Sequence, residues 1–483
     1  MNLKMIFYTL GRLIGLESVL MLLPLGVAII YGEWNTVLGF GVTAACAFAL
    51  SIVMYLLTRQ RDKTIYAREG FVIVAFAWLS LSAIGAVPFV ISGDIPSYID
   101  AFFETVSGFT TTGASILRDV EALTHGAAFW RSFSHWIGGM GILVLMMAIV
   151  PDEGGRSIHI MRAEMPGPVV DKIVPRVKNT AKILYLIYIA MTLVEIAMLC
   201  FGGMSLFESA IHSFGTAGTG GFGIKADSIG SYSPYCQWVI TVFMLLFGIN
   251  FNLYYLLLIK RFSSAIKSEE LWAYVGIVVA AVAAITVNIS SMYTTFSETL
   301  RHSAFQVASI ITTTGYSTAN FDLWPGFSKV ILLTLMFIGG CAGSTAGGLK
   351  VSRVVLMFKS IRCEIRQMLH PRAVTTVKFE GKPLDKSVRS GVGTYLALYS
   401  ILFFAIFLIV SLEPFDIETS FSATAACFNN VGPGLAAVGP LASYAEYSGF
   451  TKAVLSLAML LGRLELYPII LTFTPSTWAR KHK

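Results

Sequence analysis

Ten stretches of this chain are apolar enough and long enough to cross a bilayer: about 7–31, 36–57, 70–92, 127–150, 181–202, 236–259, 271–290, 328–358, 390–411 and 450–474. The hydrocarbon core is about 30 Å thick and takes roughly 20 apolar residues in a helix. It holds no water to satisfy the backbone, so only helices or closed barrels cross it. Runs of this length read as helices. Composition agrees: 55% of the 483 residues are hydrophobic, 13% are charged and mean hydropathy is +0.71, against roughly 25% charged residues in a soluble domain. A soluble protein with an oversized core is a poor alternative. The expectation is an all-α integral membrane protein with ten transmembrane helices.

The net charge of +7 does not indicate nucleic acid, because of where the charge lies. Lys and Arg gather in alternate loops, for example Arg59 to Arg68, Arg156 to Lys178 and Lys350 to Lys378. The loops between are poor in them and carry Asp94, Asp100, Glu413, Asp416 and Glu418. This is the positive-inside pattern, which puts the basic loops and both termini in the cytoplasm. The N-terminal apolar run lacks a convincing small-residue cleavage site and reads as a retained helix. The six cysteines have neither disulfide-framework nor metal spacing.

A second rhythm lies in the gaps. After the first helix pair, each later pair is separated by a shorter apolar stretch of about 10–14 residues, starting near Tyr98, Ser205, Phe296 and Ile417. These are too short to span and read as re-entrant half-helices. Each runs into a polar phrase ending in glycine: "TTTG" to Gly113, "AGTG" to Gly220, "TTTG" to Gly315 and "NNVG" to Gly432. Nine residues before these glycines stand Glu104, Ile211, Gln306 and Ala423. The chain therefore divides into an N-terminal helix pair (1–60) and four pseudo-repeats of helix, pore loop and helix (61–155, 156–267, 268–370 and 371–483) around one central pore. The second phrase departs most, with Ala217 and Gly218 where the first has Thr110 and Thr111.

Non-helical backbone at membrane depth is tolerated only where protein buries it or where it lines a watery cavity. Four such loops on one axis would stack rings of carbonyl oxygens, which replace the hydration shell of a monovalent cation. The half-helices would aim their partly negative C-terminal ends at it. The candidate ion-binding residues are Thr111, Thr112 and Gly113; Thr219 and Gly220; Thr313, Thr314 and Gly315; and Asn430, Val431 and Gly432. The bland alternative is small residues that let helices pack closely.

Two further features sit inside apolar segments. "GGCAGSTAGGLK", 339–350, interrupts the eighth span with five glycines, each costing roughly 1 kcal/mol against Ala in a helix. The segment should break around a loop, although a close helix crossing is the alternative. It lacks the ending and the preceding strand of a nucleotide-binding P-loop. Arg463 lies midway along the last span, where a charge costs at least about 2.5–3.5 kcal/mol. It is read as a positive barrier facing the conduction path, or else as half of a salt bridge. Glu465 is two residues on and points elsewhere. Lys350 is either a pore charge or a residue snorkelling to the cytoplasmic surface. Glu104 either attracts cations or bonds the neighbouring loop, with the structural role favoured. His135, His212 and His302 have no ligand spacing, and no set of nucleophile and base or of paired carboxylates asks for catalysis, so no enzyme is expected.

With these phrases assembled, the chain resembles the membrane subunit of the Trk/Ktr family of potassium-uptake proteins, TrkH branch, over essentially its whole length. The resemblance implies a potassium-selective filter at Gly113, Gly220, Gly315 and Gly432, potassium as the transported ion, and no cofactor. It implies that the loop containing Gly343, Ser344, Thr345, Ala346, Gly347 and Lys350, with Arg463 opposite, gates the path. It also implies a homodimer in the bacterial cytoplasmic (inner) membrane and a separate cytosolic nucleotide-binding regulatory subunit, for which the basic segments 151–182 and 359–389 offer a surface. A serine at the first filter glycine marks sodium-transporting relatives; Gly113 argues for potassium. A sodium-permeable member of the family and a secondary transporter with broken helices are the rival readings.

Overall fold

The computed structural model describes residues 1–58, 67–141, 177–372, 376–384 and 386–478. Helix dominates. Six helices are long and apolar enough to cross a membrane, and up to eight if each of two bent pairs counts as one span. The outermost of them, such as Trp34–Thr58 and Val388–Val410, turn large apolar side chains outward, among them Leu56, Leu57, Ile401 and Leu408. The N-terminal helices Leu3–Leu20 and Leu22–Tyr31 run into Trp34–Thr58. There Gly15 packs so closely that a Cβ on it would lie 2.5 Å from the Ser51 hydroxyl, a small-residue crossing of the kind lipid-embedded helices use.

Four half-length helices occupy the centre: Tyr98–Phe109, Leu206–Gly218, Phe296–Ile311 and Ile417–Phe428, of 12 to 16 residues. Their N-termini share one device. Ser97, Ser205, Thr295 and Asp416 each accept the backbone N–H three residues on, from Asp100, Glu208, Glu298 and Thr419. That satisfies a donor the first turn leaves orphaned, and Glu208 completes a capping box. Their C-terminal halves are buried on every side, as Val106, Ala217, Ile310 and Cys427 illustrate.

The helix after each half-helix is cut short. His125–Gly139, Pro234–Phe247, Gly326–Ile338 and Gly449–Arg463 run 13 to 15 residues. Two spans expected to be continuous are therefore broken. In 236–259 the chain bends by 88° between Phe247 and Phe251, where Asn250 caps the next helix by accepting Asn252 N–H at 2.9 Å. In 450–474 it bends by 118°, because Glu465 and Leu466 adopt positive φ and Pro468 cannot donate in the next turn. The break at 339–350 falls where expected, between Ile338 and Val351. Of span 127–150, the part beyond Gly141 lies outside the described residues. The hairpin Lys378–Phe379 with Lys382–Pro383 supplies the only strands among the described residues.

Candidate functional site

The four half-helices end in loops of one shape. Thr111, Thr219, Thr313 and Asn430 are left-handed, with φ of 54°, 55°, 56° and 57°. In each, this residue's N–H bonds the carbonyl three back, and the next N–H bonds the carbonyl five back: Thr112 to Ser107, Gly220 to Gly215, Thr314 to Ser309 and Val431 to Ala426, all at 2.8–2.9 Å. Two residues after the left-handed position comes a glycine with φ of 77–95°: Gly113, Gly221, Gly315 and Gly432. The second loop thus corrects the sequence register by one. Gly221, not Gly220, matches Gly113, and Gly220 matches Thr112. The residue nine before it is His212, not Ile211.

The loops meet in cyclic order. A Cβ built on Gly113 would lie 2.0 Å from the Gly220 carbonyl oxygen, on Gly221 2.0 Å from that of Thr314, on Gly315 2.2 Å from that of Val431, and on Gly432 2.6 Å from that of Thr112. Each glycine faces the equivalent carbonyl of the next loop, and the fourth closes on the first. No side chain fits there, and the backbone conformation itself favours glycine. The carbonyls of the left-handed residues, of the residues after them and of the glycines sit at the end of four helix dipoles. Among the described residues only that of Gly432 accepts a hydrogen bond. Buried carbonyls are nearly always paired, so a convergent set left unpaired among the described residues can offer oxygen ligands to a cation.

Side chains behind the loops hold the ring. Glu104 accepts Arg131 Nε at 2.5 Å, Ser115 Oγ at 3.0 Å and Ile116 N–H at 2.9 Å, which is the structural role. Arg131 also donates to Gly223 O at 3.0 Å, tying the first loop to the second. Tyr316 donates toward Phe222 O and His212 O, both at 3.1 Å, tying the third to the second. The ties from Arg131 and Tyr316 to the second loop escaped sequence reasoning because those partners lie 92 and 94 residues away. His135 bonds Gly108 O at 2.7 Å, and its ring fills the space a side chain on Gly220 would need, 2.3 Å from the Cβ position.

Beneath the loops lies the non-helical segment Gly339–Lys350. Gly347 N–H donates to Thr313 Oγ1 at 2.6 Å, and Gly348 N–H to Asn429 O at 3.1 Å. Thr345 Oγ1 reaches Phe247 O at 3.2 Å, and Phe251 N–H bonds Gly343 O at 3.0 Å. Glu270 pins both ends, accepting Ala342 N–H at 2.7 Å and Ser352 N–H at 3.1 Å. Arg463 donates to Thr345 O at 2.7 Å and to Gly138 O and Gly139 O at 2.6 and 2.8 Å, so one guanidinium joins the segment to the end of helix His125–Gly139. Glu465 pairs instead with Arg353. Lys350 turns back onto Ala346 O of its own segment. Ser344 bonds Cys341 O at 2.6 Å, and Ala346 is fully buried.

The fold and this site define a class: helical membrane proteins in which one chain gathers backbone oxygens from four loops into one ring, with a non-helical segment bonded beneath it. Sequence relationships give its family. A family profile described as TrkH, cation transport protein, matches residues 40–273 and 268–480. The Trk system potassium uptake protein TrkH of Salmonella typhimurium is 37% identical over 99% of this chain and 100% of its own. The Trk system potassium uptake protein TrkG of Escherichia coli is 33% identical, with 99% of each chain covered. The crystal structure of the potassium transporter TrkH from Vibrio parahaemolyticus superposes with a TM-score of 0.88, at 33% identity, over 99% of this chain and 100% of that one. This chain belongs to the TrkH family of cation transport proteins. It is an integral membrane transporter, not an enzyme.

Proposed function

We propose that this protein carries potassium into the cell through a filter of backbone carbonyls. The observation that supports it most is the cyclic contact of four glycines with four carbonyls, each loop facing the next. The filter comprises Thr111, Thr112 and Gly113; Thr219, Gly220 and Gly221; Thr313, Thr314 and Gly315; and Asn430, Val431 and Gly432. Gly113, at the position that separates potassium from sodium relatives, favours potassium over a sodium-permeable reading. The architecture is ten spans: an N-terminal pair, then four repeats, 61–155, 156–267, 268–370 and 371–483, each with a half-helix and its loop between two helices. All four half-helices have the same polarity relative to the ring, which favours a single pore over the alternating access of an inverted-repeat transporter. Segment 339–350 obstructs the path, and Arg463, bonded to Thr345 O, holds it in place. Uptake follows the inside-negative potential, about 2.3 kcal/mol per charge per 100 mV.

The protein lies in the bacterial inner membrane with both termini and the basic loops in the cytoplasm. It works as a homodimer with a cytosolic nucleotide-binding regulator; most of the basic segment 151–182 proposed as its dock lies outside the described residues. Cation flux into proteoliposomes tests the reading, with potassium, rubidium and sodium compared in the wild type and in Gly113→Ser. Potassium and rubidium flux well above sodium, eroded by the serine, is expected. Equal sodium flux indifferent to the serine would return the four phrases to helix packing.

A further inference from the structure

The ring is not fourfold symmetric. Of the four glycine carbonyls, those of Gly113, Gly221 and Gly315 accept no hydrogen bond among the described residues, whereas Gly432 O accepts the Tyr444 hydroxyl at 2.9 Å. Gly432 is also the only one of the four that is buried. Tyr444 is well placed to act on it. It is 2% exposed, its ring lies 5.7 Å from that of Phe103 on the first half-helix, and its backbone N–H bonds Ser115 O at 2.8 Å. It is wedged between the fourth loop and the first, where the cycle closes, and its hydroxyl reaches the filter backbone from behind.

We propose that Tyr444 is a specificity-determining positioning residue: its phenol holds the Gly432 carbonyl back and keeps the ring wide at the glycine level. This rests on the carbonyl-filter reading. The number and freedom of coordinating carbonyls decide between potassium and sodium. A carbonyl tethered by a hydroxyl cannot fold inward around the smaller ion. Untethered, it joins its three free counterparts and lets the cage contract onto sodium.

Tyr447 supplies a matched control. Its ring stacks on that of Tyr444 at 5.8 Å, and its buried hydroxyl has no partner among the described residues. The experiment is potassium and sodium flux into proteoliposomes of the full chain, in wild type, Tyr444→Phe, Tyr447→Phe and Gly113→Ser. Expected is a roughly fivefold fall in the potassium-to-sodium flux ratio for Tyr444→Phe, the equivalent of one hydrogen bond of about 1 kcal/mol, with the ratio for Tyr447→Phe unchanged. Erosion by Gly113→Ser with an unaltered ratio in Tyr444→Phe overturns the role of Tyr444 and leaves the filter standing. Indifference to Gly113→Ser overturns both. An equal fall in the two tyrosine variants assigns the effect to packing and overturns the proposal. Should Tyr444→Phe not fold, para-aminophenylalanine at position 444 keeps the ring and a weaker donor; an intermediate ratio supports the tether and a wild-type ratio overturns it.

Discussion

At Gly221 the backbone has a φ of 77° and a Cβ would lie 2.0 Å from the Thr314 carbonyl oxygen. Both facts put it in the same position as Gly113, although the sequence points to its neighbour. Gly221→Ser is therefore expected to erode the potassium-to-sodium ratio as Gly113→Ser does, measured by the same flux assay. The second phrase misleads for a local reason. "TGG" offers two adjacent glycines, and matching it to "TTTG" by composition selects the first. Only the hydrogen bonds five residues back, from Gly220 to Gly215 as from Thr112 to Ser107, fix which one carries the turn. Gly220 is glycine for another reason: the His135 ring occupies the place of its side chain.

The elements around the loops were legible to differing degrees. The half-helices were visible in the sequence because their length and the glycine phrases that end them are local signals. The break at 339–350 was visible because five glycines write it. The breaks after Phe247 and Arg463 were not, because Asn250 and Pro468 are single signals in mostly apolar stretches; tertiary contacts complete them, since Gly248 O, Phe247 O and the Arg463 guanidinium all serve the 339–350 segment. That service is testable. Arg463 makes three charge-assisted bonds, a kind worth about 1.5–3 kcal/mol each. Arg463→Ala is expected to raise potassium flux in the absence of any regulator, with Arg463→Lys, which lacks the planar fork, falling between. Thr313→Val removes the acceptor of Gly347 N–H, one neutral bond of about 1 kcal/mol, and should raise flux less; flux of Arg463→Ala at or below wild type would show that the segment is not held shut by the guanidinium. At the end of helix Val388–Val410 nearest the fourth half-helix, Glu413 accepts Ser448 N–H at 3.1 Å and Thr451 Oγ1 at 2.6 Å. Hydrogen bonds from Ser448 and Thr451 hold its carboxyl below the usual range. Its contribution is therefore complete above the ordinary glutamate value of about 4.3 and is lost as pH falls through the depressed folded value. Glu413→Gln should flatten the acid limb of thermal unfolding in detergent.

The molecule as a whole is closed by contacts between the first and last parts of the chain. Lys452 Nζ bonds Asp100 Oδ1 at 2.6 Å, with side-chain exposures of 8% and 27%, and so ties the helix after the fourth loop to the first half-helix. Lys452→Met leaves a partly buried carboxylate uncompensated and is expected to lower stability by about 1–3 kcal/mol, seen as a lower unfolding temperature, with Asp100→Asn milder. Such ties cannot be found by reading along the sequence, because their partners are 352 residues apart; the membrane class, the four phrases and the family could be. The cyclic closure also has a genetic consequence. Where a pore is built from four identical subunits, every substitution enters it four times and mixed assemblies dilute it. Here the ring is written once in a single chain, so a change at one corner is present in one copy per ring. Each of the four corners can therefore drift on its own, and one altered allele cannot poison the rings built from another.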